Sequence, residues 1–455
     1  MNDITACFAF LKYCLGYKED MSRVIAGMDW HELYSFASKQ ALLGLCFEGI
    51  ERLGEEYPEE LRLNPIGREL LMTWMGKAQQ IRRQNMKVNA VAGKLFSMLR
   101  EDGFRCCILK GQGNALMYPN PYSRTPGDID VWIHASRERI TEYASKRFEL
   151  EDDIRLQHLE TSLDGVPVEL HFFPCSMNNP IYHARLQKWF RRNADLQCSH
   201  IVGLPDGAGD IAIPTTAFNV VYQLTHLYHH FFDEGIGMRQ IIDYFLVVND
   251  FSKNVFLNND LSNHPVNFSN HPVPLSKEGS TFSPSPSSSG SGDVTAPSRC
   301  SEPLRSKDGG PSKVSPDCAG WDRLAIEGDN SATAVTSSAS TALVVVQREL
   351  KCLGLWKFAG AVMYVLHEAL GLPEEKMIAP MDEKRGKLLL AEILNGGNFG
   401  QHFTKYGHFT QQGMAKKYFL KIWRNMHFVR YYPAEALSEP IFRTWHFFWR
   451  LKHRR

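Results

Sequence analysis

Thr125-Pro126-Gly127-Asp128-Ile129-Asp130-Val131-Trp132-Ile133-His134 is the stretch on which the reading of this chain turns. Two carboxylates separated by one apolar residue lead into an apolar run. Side chains alternate along a strand, so Asp128 and Asp130 fall on one face and Ile129 on the other. A rise of roughly 3.3 Å per residue sets their Cβ atoms about 6–7 Å apart. Two anions that close, entering an apolar run, repel each other unless a cation lies between them. A hard divalent cation such as Mg²⁺ suits carboxylate oxygens, and two such ions can clamp a phosphoryl group. Pro126-Gly127-Asp128 is also good turn chemistry. By itself, Asp-x-Asp therefore reads first as a strand entered through a polar turn, and its surroundings have to decide.

Upstream, Cys106-Cys107-Ile108-Leu109-Lys110-Gly111-Gln112-Gly113-Asn114 reads as a short buried strand running into a glycine-containing turn and a helix start. Backbone N–H groups at such a turn can hold phosphate oxygens, with Lys110 adding a charge. Downstream, two apolar runs flank Asp164-Gly165, a preferred pair for a type I′ hairpin. Counting outward pairs Leu163 with Val166, Glu160 with Glu169, and His158 with His171. Those four polar residues then share one face, and Leu159, Val168, Leu170 and Phe172 share the other. Like charges facing each other across a hairpin are unfavourable unless they share a cation or a proton.

Strand–Lys-Gly–helix, then Arg124-x-x-x-Asp128-Ile129-Asp130-Val131, then Val168-Glu169-Leu170-His171 resembles the polymerase-β-like nucleotidyltransferase superfamily. More narrowly it resembles a large bacterial family of uncharacterised nucleotidyltransferases. The resemblance implies an α+β fold, with a small mixed sheet flanked by N- and C-terminal helical domains. It implies metal ligation and catalysis by Asp128, Asp130 and Glu169, and nucleotide binding by Lys110, Gly111, Gln112, Gly113 and Arg124. Gln112 follows Gly111 where the superfamily usually carries a second glycine or a serine. The implied reaction moves a nucleoside monophosphate from an NTP, ATP foremost, to an unidentified hydroxyl acceptor. It releases pyrophosphate and uses Mg²⁺ or Mn²⁺ in a two-metal mechanism.

Composition sets outer bounds. The chain has 455 residues, 44% of them hydrophobic and 22% charged, as in an ordinary globular protein. A net charge of +1 supplies no overall field for nucleic acid or an anionic membrane. Ten cysteines without Cys-x-x-Cys spacing, and an N-terminus without a basic, apolar leader, point to reduced thiols and a cytoplasmic protein. No run reaches the roughly 18 apolar residues of a membrane span.

Taken in order, residues 1–100 read as a helical domain, with a long amphipathic pattern from Glu69 to Leu99. The α/β core occupies 101–214, with one short helix expected near Leu186 to Arg192. Arg124 has Asp128 and Asp130 as its nearest candidate partners, with a triphosphate contact as the alternative. A C-terminal helical domain takes 215–250 and 342–455. Within it, His226 and His230 stand at i and i+4, without the glutamate of a His-Glu-x-x-His motif. That spacing can chelate a metal, but they read first as ordinary helix histidines and next as substrate contacts. His158 and His171 on the hairpin are also possible substrate contacts. Arg239 reads as the i, i+4 ion-pair partner of Asp243, or as a substrate contact. Residues 251–341, rich in Asn, Ser, Pro and Gly, read as a disordered insertion. The sequence leaves two other functions open. One is a non-catalytic nucleotide-binding or toxin–antitoxin-type module. The other is a nucleic-acid-binding protein using the basic-aromatic C-terminal helices.

Overall fold

The computed structural model describes residues 3–150, 155–260, 338–401 and 414–453. The N-terminal part is helical throughout: α1 (Asp3–Cys14), α2 (Ser22–Ala26), α3 (Trp30–Lys39), α4 (Leu43–Glu56), α5 (Pro58–Leu63) and α6 (Arg68–Glu101). Asp29 caps α3 by accepting from the His31 and Glu32 amides. α6 is about 50 Å long at 1.5 Å per residue. Its apolar face changes partner along its length. Trp74 docks on α4 and donates to the Leu43 carbonyl at 2.9 Å. Val88 to Leu99 pack beneath the sheet.

The sheet holds β1 (Cys106–Leu109), β2 (Ile129–Ile133), β3 (His158–Leu163) and β4 (Val166–His171) in the order β1-β2-β4-β3. A short α7 (Gly111–Ala115) follows β1, and α8 (Arg137–Arg147) follows β2. β2 runs antiparallel to β1 and parallel to β4, while β3 and β4 form an antiparallel hairpin. That mixed topology is the one expected from the sequence. The hairpin register is also as counted, with Leu163 opposite Val166, Glu160 opposite Glu169, and His158 opposite His171. Asp164 and Gly165 both take positive φ, 51° and 69°, as a type I′ turn requires.

Every residue of β2 is buried because both faces of the strand are covered. Ile129, Val131 and Ile133 join Val88, Leu95, Ile140 and Leu170 in one core. Trp132 points the other way, into a larger core built mostly from helices. Asp130 shares that second face, so a carboxylate stands in an otherwise apolar layer.

Past the sheet come α9 (Pro180–Ser199), a two-stranded ribbon of β5 (Ile201–Gly203) and β6 (Asp210–Ala212), α10 (Thr216–Asp233) and α11 (Met238–Asp260). α9 is much longer than the expected short helix. Asn179 caps it through the Ile181 and Tyr182 amides, Pro180 starts it, and Leu186, Trp189, Phe190 and Ala194 bury one stripe. Polar residues on its exposed side hide this stripe from a reading by composition. Trp189, Phe190 and Phe218 of α10 gather around Trp132, with Trp189 and Phe218 stacked at 4.5 Å.

The proposed insertion begins later than the sequence suggests. α11 continues through residue 251 to Asp260, because Phe251 and Val255 extend its buried face and Ser252 donates to the Lys376 carbonyl. The chain is next described at α12 (Ser338–Cys352), which packs on α11. Residues 261–337, the bulk of that segment, lie outside the described residues. α13 (Trp356–Leu370) ends at Gly371 in the left-handed conformation, followed by α14 (Glu383–Gly396), α15 (Met414–Met426) and α16 (Pro433–His453).

Part of the basic-aromatic pattern in the tail faces inward. Arg424 is buried and donates to the Phe231 carbonyl at 2.8 Å, Phe428 is buried, and Lys421 pairs with Asp233 at 2.9 Å. The eight described cysteines are buried and none is in a disulfide. No described helix is long and apolar enough to cross a membrane.

Candidate functional site

Pairing of β2 with β4 sets Asp130 beside Glu169 on one face of the sheet. Asp128 lies just before β2 begins, at the mouth of a cavity, and remains exposed. Asp128, Asp130 and Glu169 each offer a carboxylate oxygen, all within 4.8 Å of one another. His171 Nε2 lies 3.0 Å from both Asp130 Oδ1 and Glu169 Oε2. Glu160, directly opposite Glu169, turns to Arg155 at 2.8 Å instead of joining the three. This separates the surroundings of the two hairpin glutamates, which register alone leaves equivalent.

The cation demanded by two close aspartates is partly built in. Lys110 Nζ lies 3.1 Å from Asp130 Oδ1 and 3.1 Å from His226 Nε2. Lys110 sits at the β1–α7 junction with φ 51° and ψ −133°. A side chain bearing a Cβ rarely adopts this backbone, which costs on the order of 1–3 kcal/mol. The strained turn delivers the ammonium group to the carboxylates.

The other residues of the turn divide. Gly111 lines the cavity. The Gln112 amide hydrogen-bonds Asn89 of α6 in the interior. Gly113 is a packing position, where a Cβ would come within 3.0 Å of Ile213. Of the three, the structure brings only Gly111 to the site.

Arg124 does not pair with Asp128 or Asp130, and Arg239 does not take Asp243. The two arginines exchange the roles expected of them. Arg124 reaches across to α11 and grips Asp243 with two hydrogen bonds, 2.9 Å from Nε and 2.8 Å from Nη2. Tyr118 donates to the same carboxylate at 2.8 Å. A planar guanidinium prefers such two-pronged contact, and a tertiary partner is invisible to helical spacing. Arg239 is thereby released. Its Nη1 donates to the Thr125 carbonyl at 3.0 Å, and its buried Nε has no partner among the described groups.

The cavity, about 510 Å³ when the open solvent at its mouth is counted, is lined by Lys110, Gly111, Arg124, Asp128, Arg239 and Phe399, among others. Phe399 was not singled out in the sequence. It follows α14 on a tight turn with φ 51° and lies 5.6 Å from the Arg239 guanidinium. The flanking glycines of Gly396-Gly397-Asn398-Phe399-Gly400 were the available signal. His226 lines the cavity too. His230 stacks edge-on against it at 4.3 Å, and its Nδ1 lies 3.6 Å from Glu234.

A family described as uncharacterised nucleotidyltransferases matches residues 26–262, 237 of the 455 residues. The chain belongs to that family. Its general activity is nucleotidyl transfer. No curated protein matches the chain. A solved structure, an antigenic nucleotidyltransferase-like protein from Paracoccidioides brasiliensis, matches at 17% identity. The match covers 39% of this chain and 88% of that one with a TM-score of 0.25, too loose to carry residues across. Of the residues discussed at the cavity, Phe399 alone lies outside the span matched by the family.

In this nucleotidyltransferase the two aspartates have opposite electrostatic characters. Repulsion from Asp130, with burial adding to it, pushes the Asp128 carboxyl up to about 6. Burial would raise Asp130 as well, but Lys110 and His171 overcome it and hold that carboxyl well below its ordinary range. Burial opposes charge on His171, yet Asp130 and Glu169 raise it to about 9. His158 is pushed down to about 4 by burial and the adjacent His171. Burial, with Lys110 next to it, drives His226 well below its usual value, so it accepts from the Lys110 ammonium group. A hard divalent cation fits the oxygen donors of Asp128, Asp130 and Glu169, one of which is exposed at the cavity mouth.

Proposed function

We propose that this nucleotidyltransferase moves a nucleoside monophosphate from an NTP, ATP foremost, to a hydroxyl acceptor and releases pyrophosphate. One observation carries the reading. Asp128 and Asp130 line a cavity together with Lys110 and Arg239, and Glu169 brings a third carboxylate within 4.8 Å of theirs. Carboxylates that can hold divalent cations, with Lys110 and Arg239 in the same cavity, suit a magnesium-bound or manganese-bound triphosphate.

Asp128 and Asp130 would hold both cations, and Glu169 would complete one site. When bound, the cations would supply Lewis-acid neutralisation of charge on the transferring phosphoryl group. Glu169 would also help remove the proton from the acceptor hydroxyl. Arg239 takes the phosphate-gripping role that the sequence suggested for Arg124, since Asp243 already occupies the Arg124 guanidinium. The Lys110 ammonium group, oriented by His226, adds charge beside the same oxygens. Phe399 offers an aromatic face on which a base can stack.

The test is pyrophosphate release from each NTP with Mg²⁺ or Mn²⁺, using cell-extract fractions as acceptors. Glu169→Gln should lose at least roughly a hundredfold in rate, consistent with loss of several kcal/mol of charge stabilisation. Glu160→Gln, whose carboxylate faces Arg155, should retain most activity. No pyrophosphate from any NTP, or the reverse ranking of the two variants, refutes the reading.

A further inference from the structure

Two imidazoles contact Glu169: His171, whose Nε2 also lies 3.0 Å from Asp130, and His158. We infer that His158, Glu169 and His171 form a second metal site, distinct in preference from the carboxylate cluster, that takes a late first-row divalent cation of the Zn²⁺ or Co²⁺ class.

The first argument is spacing. His158 Nδ1 stands 3.2 Å from Glu169 Oε2, and His171 Nε2 stands 3.0 Å from the same oxygen. Four ligands at about 2.0–2.1 Å around a tetrahedral ion are separated from one another by about 3.3 Å. All three donor atoms fall within 4.8 Å of one another.

The second argument is an orphaned donor atom. His158 is 8% exposed, and its Nδ1 has no hydrogen-bond partner, although Glu169 is near. A buried ring nitrogen left so is unfavourable unless something binds it.

The third is the outer support. An imidazole that ligates a metal usually gives its other nitrogen to a carboxylate or carbonyl oxygen, which fixes the ring. His158 Nε2 lies 3.4 Å from Glu160 Oε1, and Arg155 anchors that carboxylate at 2.8 Å. This gives Glu160 a reason to face Glu169 without joining the aspartates. His171 Nδ1 contacts the Gln157 side-chain amide at 3.2 Å.

Donor chemistry sets the preference. Imidazole nitrogens suit zinc and its neighbours, whereas carboxylate and water suit magnesium. Binding needs the His171 Nε2 lone pair. The N–H proton now directed at Asp130 and Glu169 leaves that nitrogen, and Gln157 turns its oxygen to an N–H on Nδ1. This site shares only Glu169 with the nucleotidyl-transfer reading and does not rest on it.

The test is titration of the full-length, metal-free protein with Co²⁺, read by visible absorption. Low-coordinate, imidazole-bound Co²⁺ absorbs strongly, whereas six-coordinate oxygen-bound Co²⁺ absorbs weakly. Wild type and Asp128→Asn should both develop strong bands saturating at one Co²⁺ per chain. A hundredfold excess of Mg²⁺ should leave the bands in place, and His158→Ala should lose them. A weak spectrum in wild type overturns the site and shows that the imidazoles act only as counter-ions. Bands that survive His158→Ala but vanish in Asp128→Asn overturn it by placing the ion among the aspartates. If His158→Ala does not fold, pulsed EPR of wild type with one equivalent of Co²⁺ decides. Nitrogen coupling is expected, and an oxygen-only coordination sphere refutes the site. Loss of nucleotidyl transfer in Asp128→Asn with the Co²⁺ bands intact separates the two sites.

Discussion

Replacing each member of the aspartate pair by asparagine, in the presence of EDTA, should give opposite changes in stability. The Asp128 carboxyl moves from 3.8 to about 6 on folding, chiefly through repulsion by Asp130. Such a change corresponds to roughly 3 kcal/mol for a fully sequestered group. Asp128 is exposed at the cavity mouth, and solvent screening brings the figure to about 1 kcal/mol. The folded-state value is raised, so this contribution is complete below the unfolded value of 3.8 and is lost as pH rises through about 6. At pH 7.5 the wild type therefore bears the repulsion, and Asp128→Asn relieves it.

Asp130 differs because its side chain is 5% exposed and is held by Lys110 and His171. Removing one member of a buried ionic group costs about 3–5 kcal/mol, because a charge is stranded. Glu169 still holds His171, so about 3 kcal/mol is expected. At about 2–4 °C per kcal/mol, Asp130→Asn should melt about 6–12 °C below wild type. Asp128→Asn should melt at the wild-type temperature or up to about 4 °C above it. Thermal unfolding by circular dichroism at pH 7.5 measures both. Equal losses, or a larger loss for Asp128→Asn, would refute the assignment of Lys110 and His171 as the built-in counter-charge of Asp130.

Two further outcomes follow from buried groups away from the carboxylates. Arg124→Met or Asp243→Leu alone should cost about 3–5 kcal/mol, whereas the two together should recover much of that loss. A coupling below about 1 kcal/mol in urea unfolding of the double-mutant cycle contradicts the two-pronged pair. Glu435 accepts from the Asn178 and Asn179 amides at 2.6 and 3.3 Å, and burial pushes its carboxyl up to about 7. A raised carboxyl stabilises the fold below its unfolded value of 4.5, and this is lost as pH rises through about 7. Wild type should therefore lose melting temperature relative to Glu435→Gln between pH 5 and 8, and parallel curves would show that Glu435 is ionised throughout.

Local periodicity and turn chemistry were sufficient for much of this fold. Alternation placed Asp130 and Trp132 on one face of β2, and Asp164-Gly165 fixed the hairpin register, which aligned Glu160 with Glu169 and His158 with His171. These features depend on neighbours a few residues apart, where geometry is set by the backbone repeat. The long α9 was less legible, because its buried stripe is diluted by polar residues on the exposed side. Partner choice among charges was not legible at all. Arg124 lies four residues from Asp128 in the chain, but its guanidinium pairs with Asp243, 119 residues away. Lys110 meets His226 across 116 residues, and Phe399 enters the cavity from beyond the segment matched by the family. A long side chain can satisfy its charge with any carboxylate that the fold brings within reach. Sequence by itself therefore named the carboxylates and their strands. Only the tertiary structure decided which cation faces each one, and that Arg124 and not Arg239 pairs with Asp243.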